Sequence, residues 1–224
     1  LNLANFANVE TAELRGALAL SATGTSGNNL LTSAHNSAAN VLTGLGGNDT
    51  YIVGAGDTIV EAANGGTDLV RSWLIDLDLA DYANVENVLL TGTATISATG
   101  NSGANTITGN VASNVLTGGG GIDTFVFNTA LGAGNIDAIT DFAAGEDRFA
   151  LENAIMTALT ATGVLSADAF VVGTQAADAN DRIIYNSSTG ALSYDSNGNL
   201  AGGMVQFAQL SSGLGLTHTD FLVI

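Results

Sequence analysis

Apolar residues recur every ninth position between residues 100 and 126, which divide into GNSGANTIT, GNVASNVLT and GGGGIDTFV. Glycine opens each block, an apolar residue takes the eighth place (Ile107, Leu116, Phe125), and Asn or Asp takes the sixth (Asn105, Asn114, Asp123). A short x-apolar-x segment every nine residues, set between glycine-rich corners, predicts the half-turn of a parallel β-solenoid. The glycines permit the positive-φ corners that so short a repeat needs. Two nines complete a coil, so Asn105 and Asp123 are expected on one edge of adjacent coils, about 4.8 Å apart.

The same pattern occurs twice. LNLANFANVE (1–10) aligns with LDLADYANVE (77–86), SATGTSG (21–27) with SATGNSG (97–103), and NVLTGLGGNDTYIV (40–53) with NVLTGGGGIDTFVF (114–127). The offset falls from 76 to 74, so the first copy holds two extra residues within about 33–43. That insertion contains His35 and is expected to bulge from the half-turn opposite the Asn29 and Asp49 corners. Because the chain opens inside a repeat, a fragment lacking an N-terminal passenger is expected. Between the copies, residues 56–79 predict short alternating strands punctuated by Asn64-Gly65-Gly66. Asp57, Glu61 and Asp68 read there as solvated edge charges, and Trp73 as a core plug.

After Phe127 the nines continue as GAGNIDAIT (132–140), with Asp137 sixth and Ile139 eighth. Glu146, Asp147 and Arg148 are expected to form local ion pairs. Composition shifts near 150. Residues 152–161, ENAIMTALTA, predict a helix. FVVG, RIIYNSSTGALSYD and MVQFAQL predict antiparallel strands, with a hairpin at Asn186–Gly190. Asp195 to Asn199 is read as a turn rather than an EF-hand, because the twelfth place is Gln206 where a bidentate acid is required. The fold expected is mostly β: a parallel β-roll or β-solenoid over 1–149, and a C-terminal antiparallel β (α+β) cap over 150–224.

Charge changes the picture next. Twenty-one acids face four bases, all Arg, for a net charge of −17 in 224 residues. Such a chain repels nucleic acid and anionic membranes and attracts divalent cations. The most apolar stretch, 158–177, carries Asp168 and several Thr and Gly, so no membrane insertion is expected. With no cysteine, stability must come from core, strand ladders or metal. The two histidines, His35 and His218, and the lack of thiols favour a hard cation over zinc. No His-Glu-x-x-His, no lysine and no Gly-x-Ser-x-Gly are present, so no enzyme is expected.

GGGGIDTFV (118–126) resembles the GGxGxDxUx nonapeptide of the RTX (repeats in toxin) family, and GLGGNDTYI (44–52) resembles it with Leu45 at the second glycine. The resemblance implies calcium ions between successive same-side coils, bound by glycine-loop carbonyls and an Asp from each coil. Carried over, it implicates Gly118, Gly120 and Asp123 with Asn105, and Gly44, Gly46 and Asp49 with Asn29. Each pair departs from the family in having one carboxylate instead of two. DFAAGEDRFAL (141–151) resembles the segment closing the β-rolls of serralysin-type proteases, which adds Asp137 and Asp141 as metal ligands. LTHTDFLVI (216–224) resembles the uncleaved C-terminal signals of type I secretion. Together these imply a non-catalytic module that folds on calcium and supports export of a larger bacterial protein by a type I exporter, in a secreted, extracellular or cell-surface location. Two other readings stay open. TATISAT and NTITG suit a calcium-independent solenoid, an adhesin, surface-layer or ice-binding module held by amide ladders. A fragment of a carbohydrate-active β-helix enzyme would need clustered acids or aromatics in a groove, and the chain has one Trp and four Tyr.

Overall fold

The inward residues of one series of short strands fall on one line through the molecule. In the computed structural model, which describes residues 1–224, that line is Ala12, Leu31, Tyr51, Val70, Val88, Ile107, Phe125, Phe149 and Phe221, each the register partner of the next. All nine side chains are buried. Stacking like residues at coil spacing removes apolar surface from water with little loop entropy to oppose it, which is why the pattern repeats.

The strands form a β-solenoid. Its long wall is a ten-stranded sheet running in order from Thr11–Gly16 through Leu30–Asn36, Thr50–Ile52, Leu69–Ser72, Asn87–Leu90, Thr106–Thr108, Thr124–Phe127 and Arg148–Leu151 to Phe221–Val223 and Gly163–Val164. Every pair is parallel except the last. The facing wall is split. Ser21–Thr23, Val41–Thr43 and Thr58–Val60 form a three-stranded sheet, and an eight-stranded sheet begins at Leu77–Asp78. The latter continues through Ala98–Thr99, Val115–Thr117 and Asp137–Ile139 into Met204–Gln209, Ala191–Asp195, Ile183–Asn186 and Phe170–Val172. Residues beyond 150 therefore extend both walls, and one cluster of 39 buried apolar residues runs from Leu3 to Val223.

The hairpin after Asn186 and the turn at 196–203 join antiparallel strands as expected. Several expectations are corrected. Residues 152–161 form consecutive turns, not a helix; Met156 and Leu159 plug the core while the N–H groups of Ile155 and Met156 share the Glu152 carbonyl. Ten residues are too few for helix propensity to outweigh nucleation where packing asks for turns. Phe170–Val172 pairs parallel, not antiparallel, with Ile183–Asn186. The two-residue insertion lengthens the strand leaving the Asn29 corner, where a bulge shifts register opposite Glu13 and Arg15. It does not occupy the opposite half-turn. Trp73 is half-buried outside the core, its ring 6.0 Å from that of His35. Apart from these corrections, the C-terminal FLV forms a core strand, with Phe221 stacked 5.1 Å from Phe149.

Candidate metal centre

Where the chain turns from the facing wall into the long wall, the corner residue's N–H lacks a ladder partner. The side chain at the same corner of the following coil supplies one. Asn29 N donates to Asp49 Oδ1 at 2.7 Å, Asp49 N to Asp68 Oδ1 at 2.7 Å, and Asp68 N to Glu86 Oε2 at 2.8 Å. Asn105 N donates to Asp123 Oδ1 at 2.8 Å and Asp123 N to Asp147 Oδ1 at 2.9 Å. The opposite edge repeats the device, from Asn40 N to Asp57 Oδ1 and from Asn114 N to Asp137 Oδ1. Each of these side chains is a rung, satisfying a buried donor that would otherwise be left unpaired.

A rung uses one carboxylate oxygen, and the fate of the other separates the corners. Asp147 Oδ2 accepts from Ala143 N at 2.8 Å, and Asp57 Oδ2 accepts from Gly54 N and Ser33 Oγ, both at 2.6 Å. Asp49 Oδ2 and Asp68 Oδ2 are buried with no partner. They face Glu61, and ligand oxygens of the three residues lie within 4.8 Å of one another. Glu61 Oε1 also accepts from the Tyr51 hydroxyl. Gly44 allows this convergence, since a Cβ there would collide with Asp49, Glu61 and Tyr51.

No basic side chain pairs with the cluster; the two ion pairs of the molecule, Arg15 and His35 with Glu13, are at the surface. Burial pushes the Asp49 carboxyl up to about 7 against the pull of the Asn29 N–H, with the charges of Glu61 and Asp68 adding to the rise. Asp68 is pushed up to about 6 by burial, then by Glu61 and Glu86. Burial and Glu61 together hold the Tyr51 hydroxyl protonated far above its usual range.

The second copy builds the equivalent corner differently. Strand register places Glu61 one coil beyond Gly44, and Asp141 one coil beyond Gly118. Asp141 leaves no oxygen free: its two oxygens accept from Gly118 N and Gly119 N at 2.8 Å each. Phe125 stands where the first copy has Tyr51, and Phe142 packs on it with ring centroids 6.1 Å apart. Asp123 remains pushed up to about 6 by burial, with Asp147 and Asp141 adding charge, but both of those carboxylates are fully engaged by backbone.

The residues implicated by sequence are thus only partly brought together. Asp49 and Gly44 meet at the cluster. The side chains of Asn29 and Asn105 do not turn to the carboxylate of the next coil, which their backbone N–H groups meet; Asn29 Oδ1 accepts from Thr25 N at 2.6 Å and Asn105 Oδ1 from Asn101 N at 2.8 Å. The partner of Asp49 lies one coil later, at Asp68. Gly118 adjoins Asp123, whereas the exposed Gly120 gives its N–H to Asn101 O and Gly46 packs near Gly65 O. Asp137 is buried on the far edge, away from Asp141, and burial pushes it up to about 6. Asp147 is a buried rung and forms no ion pair with Arg148.

Asp57, Glu61 and Asp68 are buried, not solvated edge charges. A signal for Asp68 was present in the sequence: Gly65-Gly66-Thr67-Asp68 repeats Gly46-Gly47-Asn48-Asp49. It stands nineteen residues after Asp49 rather than eighteen, so a strict nine-residue period passes over it. Chemically, the cluster offers only oxygen, as a hard divalent cation requires. No protein-family model matches the chain, and no curated protein matches it.

Proposed function

We propose that this chain is a non-catalytic calcium-binding β-solenoid module of the RTX kind, with its principal site at Asp49, Glu61 and Asp68. One observation carries the reading. Three carboxylates are buried together with no basic side chain paired to them, and two of their oxygens, Asp49 Oδ2 and Asp68 Oδ2, have no partner. A buried anion without compensation is costly, and a divalent cation offsets that cost. Calcium suits the set because it accepts six to eight oxygens from carboxylates and carbonyls at about 2.3–2.6 Å. Asp49 and Asp68 would each bridge, one oxygen holding the preceding coil's N–H and the other turned to the ion, so binding ties three coils. An ion that binds only the folded chain stabilises it by about 1.4 kcal/mol for each tenfold excess over Kd. The sequence resemblance extends the proposal: a calcium-poor cytosol keeps the module loose for type I export of a passenger, and calcium outside the cell folds it.

The test is calorimetric calcium titration with thermal melts in calcium and in chelator, on the wild-type chain and on a Glu61→Gln, Asp68→Asn variant. The wild type should melt higher in calcium, and the variant should lose its tightest site. A chelator effect smaller than the scatter between replicates sinks the reading. That result would favour the calcium-independent solenoid, which has its own support: the second copy satisfies Asp141 and Asp147 entirely with backbone N–H groups.

A further inference from the structure

The two repeat copies fold alike at their first corner and differ in what covers it. In both, a single 3-10 turn, Leu3–Asn5 or Leu79–Asp81, is capped by the side chain two residues before its centre, Asn2 or Asp78. Both then pass through an asparagine with positive φ, Asn8 at 59° and Asn84 at 64°. Burial nevertheless diverges sharply. Leu77, Tyr82 and Val85 are 2%, 7% and 0% exposed, while their counterparts Leu1, Phe6 and Val9 are 54%, 50% and 38% exposed.

The difference is a coil. In the second copy the preceding coil, 57–72, lies on this face: Leu69–Ser72 pairs parallel with Asn87–Leu90. Two polar bonds fasten it. Glu86 Oε2 accepts from Asp68 N at 2.8 Å, and Asn84 Nδ2 donates to Glu61 O at 3.0 Å. In the first copy the corresponding strand, Thr11–Gly16, is the edge of the long wall. Glu10, the counterpart of Glu86, turns to the following coil, its Oε2 accepting from Asn29 Nδ2 at 2.8 Å, while Asn8 makes no hydrogen bond. The edge strand, the asparagine donor and the apolar surface are set out as they are under the coil 57–72.

We propose that this N-terminal face is a docking surface for one further β-solenoid coil, running parallel to Thr11–Gly16. Its occupant resembles residues 57–72 in chemistry: an extended segment adding backbone bonds to the edge, a carbonyl for Asn8, and apolar cover for Phe6 and Val9. Edge strands of this kind are templates for pairing. A second copy of this chain is a poor occupant, because two chains of charge −17 would meet at close range. The proposal does not depend on calcium at the Asp49 cluster.

The test fuses residues 54–76 directly ahead of Leu1 in the full chain, reproducing the Asp76–Leu77 connection, beside a scrambled fusion of the same composition. The native-order fusion should slow amide hydrogen exchange in Thr11–Gly16 by about tenfold or more over the unfused chain, and the scrambled one should not. Val9→Ser should move the melting temperature of the unfused chain by less than about 1 °C and lower that of the fusion by about 4 °C or more. Equal protection by the scrambled fusion overturns the proposal, as does unchanged exchange in the native-order one. Concentration-dependent dimerisation of the unfused chain that buries Phe6 would assign the face to a second copy and overturn it too.

Discussion

Asp49 donates its backbone N–H to Asp68 Oδ1 at 2.7 Å, and this bond fixes the two carboxylates one coil apart with each Oδ2 left unpartnered. The rung and the candidate metal site are therefore built from the same side chains. Substitutions that keep the acceptor but remove the charge separate the two roles.

Asp68→Asn retains an oxygen for the Asp49 N–H and removes one of three like charges. Metal-free stability should hold or rise, while calcium affinity should fall by more than about tenfold. Asp68→Ala should instead cost about 1–3 kcal/mol in chelator, because it strands a buried N–H. Paired melts in chelator and calorimetric titration distinguish these; equal melting temperatures for the two variants would show that the rung contributes nothing.

Acidity should act on the metal-free protein in an unusual direction. Burial raises Asp49 to about 7, and Asp68, Asp123 and Asp137 to about 6. The native state then holds protons that the unfolded chain, titrating near 3.8, releases. Their contribution to stability is fully present below the unfolded value and is lost as pH rises through the folded values. Melting temperature in chelator should climb as pH is lowered from about 7.5 toward about 4.5. A steady fall over that window would show that these carboxylates are not held as the structure has them.

Asn105→Asp restores the acidic pair of the RTX pattern, yet its effect should be purely destabilising. Asn105 Nδ2 donates to Glu86 O at 3.0 Å, and a carboxylate there would set charge against a carbonyl. A loss of about 1–3 kcal/mol is expected with and without calcium, with no gain in affinity. Tighter calcium binding by this variant would mean that Asn105 turns toward Asp123.

Leu45 and Gly44 should respond oppositely to exchange. Leu45 holds φ of 83° with its side chain half-exposed, at the place taken by Gly119 in the second copy. Leu45→Gly should stabilise by about 0.5–1 kcal/mol, the left-handed strain less the added unfolded entropy. Gly44→Ala should destabilise by about 2 kcal/mol or more, through overpacking against Asp49, Glu61 and Tyr51. Chemical denaturation of both variants checks the pair.

Deleting residues 220–224 should abolish a cooperative melt of the C-terminal strands. It removes the Asp220 carboxylate that accepts Gly145 N at 2.8 Å, along with Phe221 from its stack on Phe149. A truncated chain that melted like the full one would show that DFLVI lies outside the core.

The sequence by itself determined the solenoid, because its strands are local: an apolar residue in x-apolar-x and a glycine corner every nine residues fix which side chains point inward. Tyr51, Ile107 and Phe125 were legible in this way, and so were the corners of Asp49 and Asp123. The helix expected at 152–161 failed because propensity is a weak local preference, and the core required Met156 and Leu159 on turns. The tertiary structure alone decided the candidate site. Coils vary in length, so Asp68 and Glu61 come to Asp49 only once the coils are stacked. Which way each carboxylate turns follows from the unpaired N–H of the neighbouring coil, and that demand exists only in the folded stack. Asp141 and Glu61 occupy equivalent places, yet one finds two N–H groups and the other finds Tyr51 and two unpartnered carboxylate oxygens.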